Sequence, residues 1–339
     1  MLCSSRFPMK KISERIVWAS WVIFLLTVTV WGEEETYSTA LSLRKTVEQL
    51  TAETFAGREF GTAGGAVAAQ FLVRELKRLG CSHAFTQEIP EGTYPIPGRG
   101  QNVIGFFPGK SQKTIVLSAH YDHLGSREWS TEGEKRKIYF PGADDNASSV
   151  AILLHVAERV ARNGEKLPCS LLFLFFDGEE KGLLGSQYWQ NYPTHPLDSI
   201  LFALNGDMAG HLEPERGLYV FGTRSGSSLR EIVMTSAPET LKILCPWSSL
   251  PRSDHAVFLK AEIPALLFVT GIHSTYHTPE DSAEKLNYAG MEMIADWIFC
   301  LVTHVEATLP IHFQSQWHHS PPTGTDPYLG FFERSSKKI

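Results

Sequence analysis

Cysteine is scarce. Among 339 residues there are 5, Cys3, Cys81, Cys169, Cys245 and Cys300, and no two form a CxxC pair. That excludes a disulfide-built scaffold and a thiolate zinc site, so any metal has to be held by histidines and carboxylates. Positive charge is also short. Lys and Arg number 31 against 37 Asp and Glu, a net charge of −6, which excludes a surface that seeks nucleic-acid phosphate. Internal repeats and Pro- or Gly-rich linkers are missing. The apolar run Ile16–Val30 falls short of the roughly 20 residues a spanning helix needs. What is present is core material: 43% hydrophobic residues, with 20 Phe, 8 Trp and 10 Tyr. A disordered or fibrous chain is thereby ruled out. At about 150 residues per domain, the length allows two domains or one large α/β unit.

The first 32 residues read as an address. Arg6, Lys10, Lys11 and Arg15 precede the uncharged run IVWASWVIFLLTVTV, and Glu33-Glu34-Glu35 follow it. A basic flank, a short apolar run and a small residue before an acidic start describe a signal peptide. Trp31 before Gly32 is a poor cleavage context, so an N-terminal anchor over residues 16–31 stays open beside it. Either way the catalytic part is expected outside the cytoplasm, periplasmic or secreted, with that anchor as its one membrane contact. The catalytic domain is expected over 36–309, and the Pro- and His-containing tail 310–339 is expected to be poorly ordered.

Between these ends the chain alternates helix-like and strand-like segments, as a single α/β domain should. Apolar residues at helical spacing predict helices over Ser38–Leu50, Ala63–Leu79, Asn146–Arg162, Leu183–Tyr192 and Tyr288–His304, with Gly80 stopping the second. Strands are predicted at Asn102–Phe107, Thr114–Ala119, Ser170–Phe176, Ile200–Leu204 and Ile263–Thr270. Several are apolar throughout, as strands covered on both faces are.

Polar groups gather where these strands end. Thr114–Ala119 runs into His120-Tyr121-Asp122-His123. Phe176 is followed by Asp177-Gly178-Glu179-Glu180, Leu204 by Asn205-Gly206-Asp207, and Thr270 by His273, Tyr276 and His277. Asp144-Asp145 precedes the helix at Asn146. Singly, each is weak: a strand-end histidine, a solvated acidic turn or a helix cap would explain it. Together, five segments deliver ionisable groups to the carboxyl ends of strands, where open α/β sheets form a common crevice. Carboxylates beside buried strands need a cation or a proton to offset their burial. Carboxylate and imidazole donors suit Zn²⁺, and also Mn²⁺ or Co²⁺. One ion would not need so many ligands; two ions roughly 3.5–4 Å apart and sharing a carboxylate would.

The stretches AHYDHLG (119–125), PGADDNAS (141–148), FDGEEKGLLGS (176–186), NGDMAG (205–210), RSDHAVF (252–258) and YHTPEDSAEKLN (276–287) resemble the zinc-dependent exopeptidases that include bacterial leucyl aminopeptidase, aminopeptidase Y and glutamate carboxypeptidase. The resemblance spans roughly residues 40–305. It implies a doubly wound, mostly parallel sheet with helices on both faces, without the inserted domain of larger relatives. It further implies two zinc ions per chain: His120 and Asp207 on one, Glu180 and His277 on the other, Asp144 bridging. Asp145 follows that acid, where relatives have a cis peptide. Glu179 falls on the general base, and Asp122 on the carboxylate that orients the His120 imidazole. Asp254 and His255 are expected as supporting residues and His123 as structural. Relatives often have Gly at the position of Ser149 and a bulkier residue at that of Gly206.

The chemistry implied is hydrolysis of N-terminal residues from peptides. A carboxylate beside the metals but not bound to them takes a proton from the shared water and passes it to the leaving amine. Tyr276 could donate to the developing oxyanion, or merely pack. Three other readings stay open: a glutaminyl cyclase, a transferase of the same fold with a single zinc; a binding relative without catalysis; and a carboxypeptidase or dipeptidase, for which Arg224 and Arg252 are the cations available to a substrate carboxylate.

Overall fold

A computed structural model describes residues 42–131, 134–250 and 252–315. Helix α1 covers 42–51, and a short 3₁₀ segment, Glu53–Arg58, leads into α2 (Ala63–Arg78). Thr62 caps α2 by accepting from the Gly65 amide, Leu72 and Leu76 are buried on its inner face, and Gly80 leaves it at a φ of 82°. The strands are β1 (His83–Ile89), β2 (Gly100–Phe107), β3 (Thr114–His120), β4 (Ser126–Thr131), β5 (Glu134–Tyr139), β6 (Ser170–Phe176), β7 (Ile200–Gly206), β8 (Leu218–Phe221), β9 (Ile243–Leu244) and β10 (Ala265–Val269). The remaining helices are α3 (Ser149–Asn163), α4 (Leu184–Asn191), α5 (Leu229–Thr235), α6 (His255–Lys260) and α7 (Tyr288–His304).

Eight strands form one mixed sheet in the order β1-β2-β6-β3-β7-β10-β8-β9. The central four, β6, β3, β7 and β10, are mutually parallel, whereas β1, β2 and β8 attach antiparallel to their inner neighbours. Every residue of those central four is buried, which explains why they read as unbroken apolar runs rather than alternating ones. Helices cover both faces. Leu76 of α2 lies where a Cβ on Gly105 would point, while Asn102, three residues back and so on the opposite face, donates to Gly185 O at the start of α4. On the α4–α6 side Phe176, Trp189 and Phe258 pack ring against ring over Ile104 and Val116. On the other side α3 packs against α7, whose Trp297 donates its indole N–H to Val233 O in α5.

The expected helices and inner strands are present, with shifted ends. The third helix starts at Ser149 rather than Asn146, because residues 143–148 make a wide turn with a cis peptide between Asp145 and Asn146. Edge strand β1, the charged hairpin β4–β5 and the short elements β8, β9, α5 and α6 had no periodic signal strong enough to read. The expected address at 1–32 lies outside the described residues. Of the tail, residues 312–314 are described pairing with 225–227.

The order of the parallel strands positions the site. From β3 the chain reaches β6 on one side, then returns past it to β7 and β10 on the other. The crossover reverses at the carboxyl end of β3, the kind of switch point where α/β sheets open a crevice.

Candidate metal centre

His120 closes β3 and is 1% exposed. Its Nδ1 faces Asp122, 3.5 Å from Oδ1 and 3.2 Å from the backbone oxygen, which turns Nε2 into the crevice. There Nε2 meets Asp145 Oδ1 at 3.2 Å and Asp207 Oδ1 at 3.5 Å. The two oxygens of Asp122 also accept from the amides of Glu179 and Glu180, at 3.0 and 3.3 Å. One buried carboxylate thus fixes both the imidazole and the turn after β6. Asn102 holds that turn from behind, accepting from Asp177 N while donating to α4.

The second group of donors shares Asp145. Its Oδ2 is 3.0 Å from His277 Nε2, and that nitrogen is 3.1 Å from Glu180 Oε2. Glu180 Oε1 is bonded in turn to His123 Nδ1 at 2.7 Å. His277 sits at a φ of 57°, with the Tyr276 ring stacked on its imidazole at a centroid distance of 3.8 Å.

The structure corrects one expectation. The carboxylate between His120 and His277 is Asp145, not Asp144. Adjacent side chains in the 143–148 turn diverge, and Asp144 faces away: its Oδ1 accepts from Gly210 N and Ser148 Oγ, and its Oδ2 lies 3.1 Å from His273. The cis peptide correspondingly follows Asp145. His120, Glu180, Asp207 and His277 stand together in the crevice, with Glu179 and Asp122 beside them. His123 is drawn in as well, as the partner that orients Glu180.

Electrostatics follows from this crowding. Burial opposes ionisation of Asp145, but His120, His277 and His123 hold its carboxyl well below the usual range. Burial and Asp145 would raise Glu180, yet His123 and His277 bring it below its ordinary value. For Glu179 burial dominates; His120 offsets it in part, Asp207, Asp254 and Glu180 add to it, and the pKa ends well above normal. Burial likewise raises Asp207, and pushes Asp254 up to about 7. Burial works against a charge on His277, but Asp145 and Glu180 lift it to about 10. Burial drops His255, which is bonded to Ser249 O, to about 4.

Two further residues hold the frame, and sequence reasoning missed both. Arg58, wholly buried, donates to the carbonyls of Tyr121, Leu50, Pro141 and Gly142, clamping the loop after β3 to the turn that carries Asp145. Asp281 accepts from the amides of Asp144 and Asp145. Asp281 lies inside the YHTPEDSAEKLN stretch, which could have pointed to it. Arg58 had no signal beyond its place between glycines.

These donors fit a divalent cation such as zinc. His120, Asp145 and Asp207 offer ligand atoms within 4.8 Å of one another, and so do His123, Asp145 and Glu180. His277 Nε2 makes no hydrogen bond although two carboxylate oxygens lie within 3.1 Å, the arrangement expected where lone pairs converge on an ion rather than on each other.

A mixed α/β sheet with helices on both faces is the fold of solved zinc-dependent exopeptidases. The signature of Peptidase family M28 matches residues 102–302, and the chain belongs to that family. It is 28% identical over 270 residues to leucine aminopeptidase 1 of Phaeosphaeria nodorum, covering 74% of this chain and 66% of that protein. The chain spans about half the length of other curated leucine aminopeptidases it matches. Among solved structures it resembles a Zn-dependent exopeptidase from Parabacteroides distasonis, with TM-score 0.63, 20% identity and coverage of 78% of this chain and 98% of that one. It also resembles a glutaminyl cyclase from Bacteroides thetaiotaomicron bound to N-acetylhistamine, with TM-score 0.64, 20% identity and coverage of 79% and 98%.

Proposed function

We propose that this protein is a two-zinc aminopeptidase that removes N-terminal residues from peptides. The observation that carries the reading is the single carboxylate of Asp145 lying between two sets of donors, with His120 and Asp207 on one side and Glu180 and His277 on the other. When bound, the two ions would polarise the peptide carbonyl and make a shared water acidic enough to attack near neutral pH.

The chain's own residues supply the rest. Glu179 is the general base. Its backbone is pinned by Asp122, its side chain stands among the donors without being one of the five, and burial keeps its proton affinity high, as a base working near neutrality requires. Asp122 is a positioning residue that aims both His120 and the 179–180 turn. Among the described residues, the ion pairs made by Asp145, Glu180 and Asp207 are all with histidines, so no lysine or arginine competes with the ions for these carboxylates. Arg224, one cation a carboxypeptidase would need, is stacked on the Trp247 ring.

The glutaminyl cyclase reading draws on a fold match of equal closeness. The complete His120/Asp207 side favours two ions over one. Export is part of the proposal and rests on residues 1–32; among the described residues no helix is long and apolar enough to cross a membrane.

The test is hydrolysis of a panel of aminoacyl-nitroanilides and N-blocked peptides, after chelation and after zinc is restored. Activity on free N-termini, lost with chelator and regained with zinc, is expected with two zinc ions at the centre around Asp145. Pyroglutamate formation with one zinc at that centre would establish the cyclase instead.

A further inference from the structure

Beside the centre described above lies a separate set of donors that it does not use. Asp144 from the 143–148 turn, His211 after β7 and His273 after β10 each offer a ligand atom within 4.8 Å of the others. The His211 and His273 rings face each other at a centroid distance of 4.2 Å and 36° tilt. Three buried atoms, Asp144 Oδ2, His211 Nε2 and His273 Nε2, make no hydrogen bond. Asp144 is wholly buried, and an unpaired carboxylate oxygen in such a place is costly.

We propose that Asp144, His211 and His273 form a further divalent-metal site, of the zinc type, that ties the Asp145 turn to the loop carrying His277. The surroundings already hold each ligand in place. His273 Nδ1 is bonded to Thr275 Oγ1 at 2.8 Å, which leaves Nε2 for an ion. Asp144 Oδ1 is taken by Gly210 N at 2.6 Å and Ser148 Oγ at 3.1 Å, so Oδ2 alone is free for coordination. The His211 amide donates to Thr270 Oγ1 at the end of β10. Outer partners that fix ligand orientation in this way are typical of metal sites. Two imidazoles and a carboxylate are a zinc donor set, with a remaining position for water.

The rival occupant is a proton. Asp144 Oδ2 and His273 Nε2 are 3.1 Å apart, so a proton on His273 would pair with Asp144 alone. A proton on His273 would also leave His211 Nε2 unpaired. An ion meets all three atoms at once.

The site does not depend on the proposed activity, and its test is separate from it. Crystals of the full chain are grown with zinc chloride and anomalous scattering is recorded at the zinc edge. A peak between Asp144, His211 and His273 is expected; its absence, whether or not the centre at Asp145 shows zinc, overturns the proposal. In solution, equilibrium dialysis against zinc followed by elemental analysis should give one equivalent less for His211→Gln/His273→Gln than for the parent. A His120→Gln/His277→Gln chain should still bind the equivalent held here. Equal zinc content in the parent and the His211→Gln/His273→Gln chain would overturn the assignment.

Discussion

Asp145 Oδ2 stands 3.0 Å from His277 Nε2, while the other oxygen of the same carboxylate meets His120 at 3.2 Å. The end of β3 and the loop after β10 are far apart in sequence, yet both aim an imidazole at one acid. Asp144, its neighbour, is engaged elsewhere.

That division predicts different outcomes for two adjacent isosteric changes. Asp145→Asn is expected to lower zinc affinity at the main centre by more than the ~10–100-fold typical of outer-shell changes, and to abolish turnover. Asp144→Asn is expected to cost that centre less. Zinc titration with a chromophoric competitor, read beside kcat, separates them. Equal damage from both would dismiss Asp145 as the shared ligand.

Glu179→Gln keeps the side chain's size and removes the base. Since Glu179 is not among the five proposed ligands, zinc content should stay at the parental value while kcat falls by ~10²–10⁴-fold. Elemental analysis with steady-state kinetics checks both halves, and a variant as active as the parent would end the general-base assignment.

Arg58 is the buried clamp. Arg58→Met removes a guanidinium whose N–H groups reach four backbone carbonyls, leaving those carbonyls without a donor. Hydrogen bonds to charged groups each contribute ~1.5–3 kcal/mol, so a loss of about 3 kcal/mol or more is expected in urea unfolding. A shift below about 1 kcal/mol would mean the loops are held by something else.

The pH dependence of the zinc-free chain follows from His277. Its folded pKa of about 10 lies above the ordinary 6.5, so its contribution to stability is complete below about pH 6.5. That contribution is lost as pH rises through about 10. Zinc has to displace the same proton, so its apparent affinity should rise across this window. Thermal unfolding at several pH values with chelator, and zinc titration at pH 6.5 and 9, are the measurements. Zinc affinity that falls with rising pH would contradict the His277 assignment.

Gly206 precedes Asp207 at the end of β7, and a Cβ there would sit 2.2 Å from the Phe268 ring. A bulkier residue at this position therefore does not fit this chain without moving Phe268. Gly206→Ala should cost ~1–3 kcal/mol by overpacking and weaken zinc binding at Asp207. Urea midpoints and zinc titration report the two effects.

Much of this protein was legible in one dimension. Strands buried on both faces must be apolar throughout, so β3, β6, β7 and β10 announce themselves, and the polar residues that end them stand out by contrast. Parallel strands present their carboxyl ends at one edge, so His120, Glu179-Glu180 and Asp207 were bound to meet wherever such a sheet formed. Their order along the chain carried the family as well. Weakly patterned pieces did not show: β1 lies at an edge with its burial mixed, and the β4–β5 hairpin is built from charged residues. Which of two neighbouring aspartates faces the crevice was decided by folding, because the amides of that turn are held by Asp281 and the Pro141 and Gly142 carbonyls that lead into it by Arg58, both distant in sequence. Spacing along a chain reports which groups arrive together; the direction a side chain takes depends on the backbone turn beneath it, and distant residues hold that turn.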